Sequence, residues 1–274
     1  MDKEKERELE LMHKRGYLVV KDNELIQKAQ FQLSAIQQKV ICYVISMIKP
    51  EDTLLNKYTI QIKDFAELCG CDTKNVYREF KKLIDDLDAK SIWVQTPEKT
   101  FKFRWFSEAE YIERKGQLVV TLNSNLQVYL LQLQNNFTQY ELWNILALKS
   151  KWSIRLYELF KSYQYQNEKT FDFEELKEIL GATTYKSYGD FKKRILDKAT
   201  EEINTYTDII VNYEIVQSGK QHKVSGIKFI INKKDTLDGY LSYRKTIEKI
   251  NAKNKKNDIK GQMSFDFDGN IFEE

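Results

Sequence analysis

Sliding the chain over itself by 111 residues lays FAELCGCDTKNVYREFKKLIDDLDAKSI on LKEILGATTYKSYGDFKKRILDKATEEI without a gap. Glu67 falls on Glu178, Gly70 on Gly181, Thr73 on Thr184 and Tyr77 on Tyr188. Phe80-Lys81-Lys82 falls on Phe191-Lys192-Lys193, Ile84 on Ile195, Asp86 on Asp197 and Ile92 on Ile203. A period this long marks a duplicated domain rather than a solenoid. Each copy reads as a short helix stopped by a glycine, a turn, and a longer amphipathic helix. In the second copy Thr183 or Thr184 can cap the longer helix. Tyr188, Phe191, Ile195, Ala199 and Ile203 then share one face, while Lys186, Asp190, Lys193, Arg194 and Asp197 point away. In the first copy Val76, Tyr77, Phe80, Leu83, Ile84 and Leu87 face inward, and Lys74, Asn75, Arg78 and Lys82 face outward.

The surroundings of the two copies match in kind. SAIQQKVICYVISMI (34–48) and NILALKSKWSIRLYELFKSYQYQ (144–166) read as long helices ahead of each copy. YTIQI (58–62) and KTFDF alternate as short strands. After the first copy, residues 91–95 and 100–106 alternate about Thr96-Pro97-Glu98-Lys99 and read as a hairpin, the wing of a winged helix, with Lys99 at its tip. QLVVTL after Gly116 reads as one more strand. After the second copy, TDIIVNYEIVQSGKQHKVSGIKFIIN forms the matching hairpin, with Lys220 and Lys223 in its basic tip. The expected fold is therefore α+β: two tandem winged-helix domains related by internal duplication, with flexible charged termini. The expected divisions are a charged leader (1–16), a first winged helix (17–122), a helical connector (123–136), a second winged helix (137–234) and a basic, then acidic, largely flexible tail (235–274), with a short helix around Leu237, Tyr240, Leu241 and Ile247.

A net charge of +3 looks poor for a nucleic-acid binder, but the acid is uneven. Residues 1–10 carry −2 and residues 262–274 carry −4, which leaves +9 for residues 11–261. A basic body suits a nucleic-acid partner. The longer helix of a helix–turn–helix enters the major groove by its N-terminal end, where this chain places its outward cations. Cys42, Cys69 and Cys71 make neither a disulfide framework nor a zinc site, and no cofactor or metal is expected. The N-terminus is charged throughout and no apolar run reaches membrane length, so a soluble cytoplasmic protein is expected. His13 and His222 stand alone, which removes the His-x-His pair of a nickase, and no GxxxxGK[ST] loop is present for an NTPase. A non-enzymatic role follows.

LKSKWSIRLYELFKSY, YKSYGDFKKRILDKATEEIN, TDIIVNYE and the N-terminal VVKDNELIQKAQFQLSAIQQKVICYVI, taken together, resemble plasmid replication initiators of the Rep_3 type over roughly residues 17–234. The resemblance implies two winged helices related by a pseudo-twofold and binding of tandem repeats (iterons) in double-stranded DNA at a plasmid origin. It also implies origin opening, recruitment of host helicase and polymerase components, and self-association as a dimer that represses the initiator's own promoter. It makes Lys186, Lys193 and Arg194 base or phosphate contacts and Lys192 a phosphate contact, with Lys74, Asn75, Arg78 and Lys82 their counterparts. Arg155 belongs to the family-like SIRLYE and has two readings, a strut at the domain junction or a DNA contact. In the tail, Gln262-Met263-Ser264-Phe265-Asp266-Phe267 resembles the QLxLxF peptide that binds bacterial sliding clamps. Gln262, Met263, Phe265 and Phe267 would be the anchors, with Met and Phe standing where that pattern has leucine. The competing reading is a winged-helix transcriptional regulator with no replication role.

Overall fold

The protein was analysed as a computed structural model that describes residues 10–71, 76–95, 99–218 and 223–260. In chain order the first half runs β1 (Leu18–Asp22), α1 (Asn23–Lys28), β2 (Ala29–Gln30), α2 (Ala35–Ile45), β3 (Lys57–Gln61), α3 (Ile62–Cys69), α4 (Val76–Asp88), β4 (Ser91–Gln95), β5 (Thr100–Arg104), β6 (Phe106–Ile112) and β7 (Gln117–Leu122). After α5 (Gln127–Leu130) come β8 (Phe137–Glu141), α6 (Trp143–Leu146), α7 (Lys151–Tyr163), β9 (Glu168–Asp172) and α8 (Phe173–Ile179). Next is α9, which starts as an α-helix at Tyr188–Phe191, widens into a π turn at Lys192–Leu196 and resumes as an α-helix at Asp197–Tyr206. β10 (Ile209–Ser218), β11 (Lys223–Lys233) and α10 (Thr236–Lys260) complete it.

The duplication is visible in the backbone. Gly70 closes α3 at φ +67° and Gly181 follows α8 at φ +61°, the left-handed region where a side chain is strained. One residue on, Cys71 N–H donates to Ala66 O at 2.8 Å and Ala182 N–H donates to Lys177 O at 2.7 Å. Both short helices thus end in the same six-residue hydrogen-bonded loop, 111 residues apart.

Sheet order identifies the wings. In the second half β11 lies between β10 and β9; in the first half β7 lies between β6 and β3. β6–β7 is therefore the counterpart of β10–β11 and forms the first wing. The hairpin β4–β5, expected to be that wing, instead pairs through β4 with β2 in a separate sheet. Lys99 belongs to this extra hairpin. Alternating residues make a strand, but they do not say which strand it will pair with.

The two halves are sewn together. β1 pairs with β8 across the midpoint, Leu18 opposite Glu141 and Asp22 opposite Phe137. α2 packs on α7, and one cluster of buried apolar residues runs from Leu11 to Ile250. α2 is capped reciprocally: Ser34 Oγ accepts from Gln37 N–H while Gln37 Oε1 accepts from Ser34 N–H. Charged side chains at this junction find partners across it. Lys21 Nζ meets Glu158 Oε1 at 2.5 Å, and Tyr140 donates its hydroxyl to the same oxygen at 2.6 Å. Arg155 is buried, donates to Ala29 O at 2.5 Å and stacks on Phe31 at 4.7 Å. Burial lowers its pKa to about 10. Of its two readings the junction strut is the one seen.

Three further expectations change. The helix expected over 144–166 is broken: α6 stops at Leu146, Ser150 caps α7, and the Glu202 carboxylate takes the N–H groups of Lys149 and Ser150. The connector is helical only over Ser124–Leu126 and Gln127–Leu130, because Leu131 is extended and Gln132 and Asn136 have positive φ. The tail expected to be largely flexible is helical throughout Thr236–Lys260.

That helix is a strap. Its inward stripe is Ser242, Thr246 and Ile250, one turn apart. Lys234 Nζ donates to Ser242 Oγ at 2.7 Å and to Thr207 O at 2.8 Å. Thr246 Oγ1 donates to Tyr206 O at 3.0 Å, and Lys249 donates to Ala147 O at 2.9 Å while lying 3.8 Å from the Tyr206 ring centre. Farther along, Ile250 packs on Gly70, and Asn254 Nδ2 donates to Glu67 O at 3.2 Å. α10 thus crosses from the second half back to α3 of the first.

Candidate nucleic-acid interface

Each half presents the longer helix of its repeat to solvent. In α4 the inward side chains are Val76, Phe80, Leu83, Ile84 and Leu87, with Phe80 edge-on to Phe65 at 5.5 Å. Arg78, Lys81 and Lys82 are exposed on its N-terminal half, and Asp85, Asp86 and Asp88 on its C-terminal half. A polyanion would therefore meet the front of this helix. Tyr77, expected inward, is 50% exposed and lies against the turn of the β6–β7 wing. That turn has Gly116 at φ +61°, and a Cβ there would sit 2.6 Å from the Tyr77 ring. On the same hairpin Tyr111 donates its hydroxyl to Lys81 O at 3.1 Å, so wing and helix are joined at two points.

In α9, Ser187 Oγ caps the helix by accepting from Asp190 N–H at 3.1 Å, in place of the threonines expected to do so. Phe191 and Tyr188 pack edge-on to Phe173 at 5.2 and 5.7 Å. Lys186, in the turn before the cap, and Lys193 and Arg194, on the helix, are exposed. Among the described residues Lys193 and Arg194 make no ion pair. Lys192 is held back, since its ammonium pairs with Asp197 at 2.8 Å, and Tyr213 of β10 donates to the same carboxylate at 2.5 Å. Hydrogen bonds from Lys192 and Tyr213 keep Asp197 below the usual carboxylate range, and burial followed by Asp197 raises the Tyr213 phenol to about 12. The second helix is thus also tied to its wing.

The other expected contacts separate. Lys99 stands at the β4–β5 hairpin with its ammonium 4.6 Å from the Phe101 ring, not on the first wing. Lys223 opens β11 at the second wing. Lys74, Asn75, Lys220, Gln262, Met263, Phe265 and Phe267 lie outside the described residues. The sequence reading missed Arg114 and Lys115, exposed at the tip of the first wing. The signal for them is the match of YTIQI with QLVVTL, which puts the Glu113–Gly116 turn at a hairpin tip beside the helix. The surface so formed, guanidinium and ammonium groups on two helix fronts flanked by wings, can take phosphates and base edges. Among the described residues no cluster of three or more His, Cys, Asp or Glu could hold a metal, and no helix is long and apolar enough to cross a membrane.

Two family models match. "Initiator Replication protein, WH1" matches residues 18–161, more than half of the chain, and "Initiator Rep protein, WH2" matches residues 172–231. The chain belongs to the replication-initiator family. Its two winged helices correspond to the two modules of that family. A replication initiation protein of Escherichia coli is 23% identical over 206 residues, which cover 70% of this chain and 63% of that protein. An uncharacterised 27.6 kDa protein of Escherichia coli is 22% identical over 217 residues, 73% of this chain and 91% of the other. Among solved structures, the Pi initiator protein in complex with iteron DNA superposes with a TM-score of 0.68 at 21% identity, over 81% of this chain and 99% of that one. At that identity the likeness is one of fold. In this initiator the WH1 match takes in β1, β8 and most of α7, in keeping with the strand pairing that crosses the midpoint.

Proposed function

We propose that the chain is a plasmid replication initiator that binds tandem repeats in double-stranded DNA at its origin. The observation that carries this is the pair of winged helices, each with exposed cations on the front of its longer helix, in a chain of the initiator family. A neighbour of the same fold has been solved on iteron DNA, which supports the reading. Two reading heads on one chain raise affinity through effective concentration. Because they share a core, their spacing is fixed and the preferred site has a fixed length. Phosphate contacts give salt-dependent affinity, and Arg or Asn on base edges gives preference. The finer steps we propose are origin opening, recruitment of host helicase, and dimer-mediated repression of the initiator's own promoter. Docking on a sliding clamp through Gln262, Met263, Phe265 and Phe267 belongs with these.

The test is selection of bound duplexes from a random library, followed by affinity for the selected site against salt. A site of about two helical turns is expected. Lys193→Ala with Arg194→Ala should abolish the preference in the half-site read by α9 and lower the salt slope by roughly 1.8, about 0.9 for each phosphate no longer neutralised. No enriched sequence, or the same site selected by the double variant, sinks the assignment. Copies of the selected site beside the coding sequence would separate an initiator from a plain regulator, whose sites need not be tandem.

A further inference from the structure

The two long helices are not in one register throughout. From Phe80 to Leu87 burial runs inward at Phe80, outward for two residues, inward at Leu83 and Ile84, outward for two, and inward at Leu87. From Phe191 the same order appears with one residue added. Three residues, Lys192, Lys193 and Arg194, separate Phe191 from Ile195; then Leu196, two outward residues and Ala199 follow. The copies thus match at 111 residues up to Phe191 and at 112 from Ile195 onward. The sequence identities conceal this, because Phe-Lys-Lys is common to both and the gapless overlay carries on past the insertion. The extra residue is absorbed as the π turn, marked by the five-residue hydrogen bond from Asp197 N–H to Lys192 O. Single π turns inside α-helices are commonly one-residue insertions and gather at functional sites.

We infer that this inserted residue sets the reading register of the second half: the π turn places the exposed pair Lys193 and Arg194 one residue farther from Phe191 than the exposed pair Lys81 and Lys82 stands from Phe80, so the two halves prefer different half-sites. The inference rests on the proposal that α9 reads DNA. Both ends of the turn are anchored. Tyr188 and Phe191 are fixed on Phe173, while Ala199 and Ile203 are buried where α9 packs on α7 and β10. Beside the turn, Lys192 is fixed on Asp197, and Asp197 is fixed on Tyr213 of the wing. The π turn itself is marked by the Asp197 N–H to Lys192 O bond, with buried side chains on either side of it. The register is thus held by packing on both sides and is present before any ligand arrives.

The experiment compares deletion of Lys193 with Lys193→Ala in the full chain. Both remove one charge, but only the deletion removes the π turn, leaving Phe191-Lys192-Arg194-Ile195 in the pattern of Phe80-Lys81-Lys82-Leu83. Duplex selection on each variant is the readout, with circular dichroism and thermal midpoint to confirm folding. Expected is a preference weakened at one base pair for Lys193→Ala, and loss or change of one whole half-site for the deletion, the other half-site unchanged. A deletion variant that selects the same site as Lys193→Ala, with affinity within twofold, overturns the inference and leaves the DNA-reading assignment standing. A wild-type chain that selects no site overturns both. If the deletion variant does not fold, the reciprocal variant decides, one alanine inserted between Lys81 and Lys82. A change confined to the first half-site supports the inference, and an unchanged site overturns it.

Discussion

Lys21 and Glu158 form an ion pair that almost no water reaches. Burial opposes both charges, yet the Cys42 and Glu158 interactions leave Lys21 above its usual value, and Lys21 with Tyr140 leaves Glu158 below its own. Removing one partner strands the other in the core, so Glu158→Gln should cost about 3–5 kcal/mol in urea denaturation. Stability then depends on pH in a definite direction. Glu158 is depressed, so its contribution is present above 4.5 and fades as pH falls through its lower folded value. Lys21 is raised, so its contribution holds up to 10.5 and fades above that. Wild type and Glu158→Gln should therefore converge in stability as the solution is acidified below pH 4.5. A gap that stays constant to low pH would contradict the pairing. A second residue-scale prediction concerns Gly116→Ala. With φ +61° and the Tyr77 ring 2.6 Å from the added carbon, it should destabilise by at least about 1–2 kcal/mol. Tyr77→Ala in the same chain should return part of that loss, which a double-mutant cycle measures.

At the scale of elements, the strap α10 carries the next prediction. Ile250 is 1% exposed where the helix crosses Gly70, so Ile250→Ala should cost about 2–5 kcal/mol by denaturation. It should also speed amide exchange in α3, which α10 meets at Gly70 and Glu67. If the stability is unchanged, the strap is not docked in solution. This helix shows why some elements were legible in the sequence and others were not. Both short helices with their glycine stops, the longer helix of each repeat and the second wing follow from apolar period and turn residues. The docked stripe of α10 is Ser242, Thr246 and one isoleucine, held by ammonium and hydroxyl groups, so a search for apolar period finds little there. β6 is exposed from Ser107 to Glu110 and carries no alternating burial, so it gives no strand signal of the kind that β4–β5 gives, and only pairing with β2 or β3 tells the extra hairpin from the wing. In the interface, Lys186, Lys193 and Arg194 were readable as outward cations. The pairing of Lys192 with Asp197 was not, because it depends on the inserted residue and on Tyr213 from another element.

For the whole molecule, two domains by ancestry do not behave as two cores. β1–β8, Arg155 on Ala29 O and the strap all cross the midpoint. Scanning calorimetry should show one transition, with calorimetric and van't Hoff enthalpies equal. Two resolved transitions would mean that the junction is weak. The same seam has a consequence for synthesis. Lys21 must wait for Glu158, 137 residues later. At about 5–20 residues per second the ribosome takes roughly 7–27 s to deliver it. For most of that interval the first strand has no partner, since β8 ends only at Glu141, and its lysine has no counter-ion until Glu158. The N-terminal half therefore cannot finish folding as it emerges, and a nascent chain that stalls before Glu158 leaves no folded single-headed competitor for the full protein's sites.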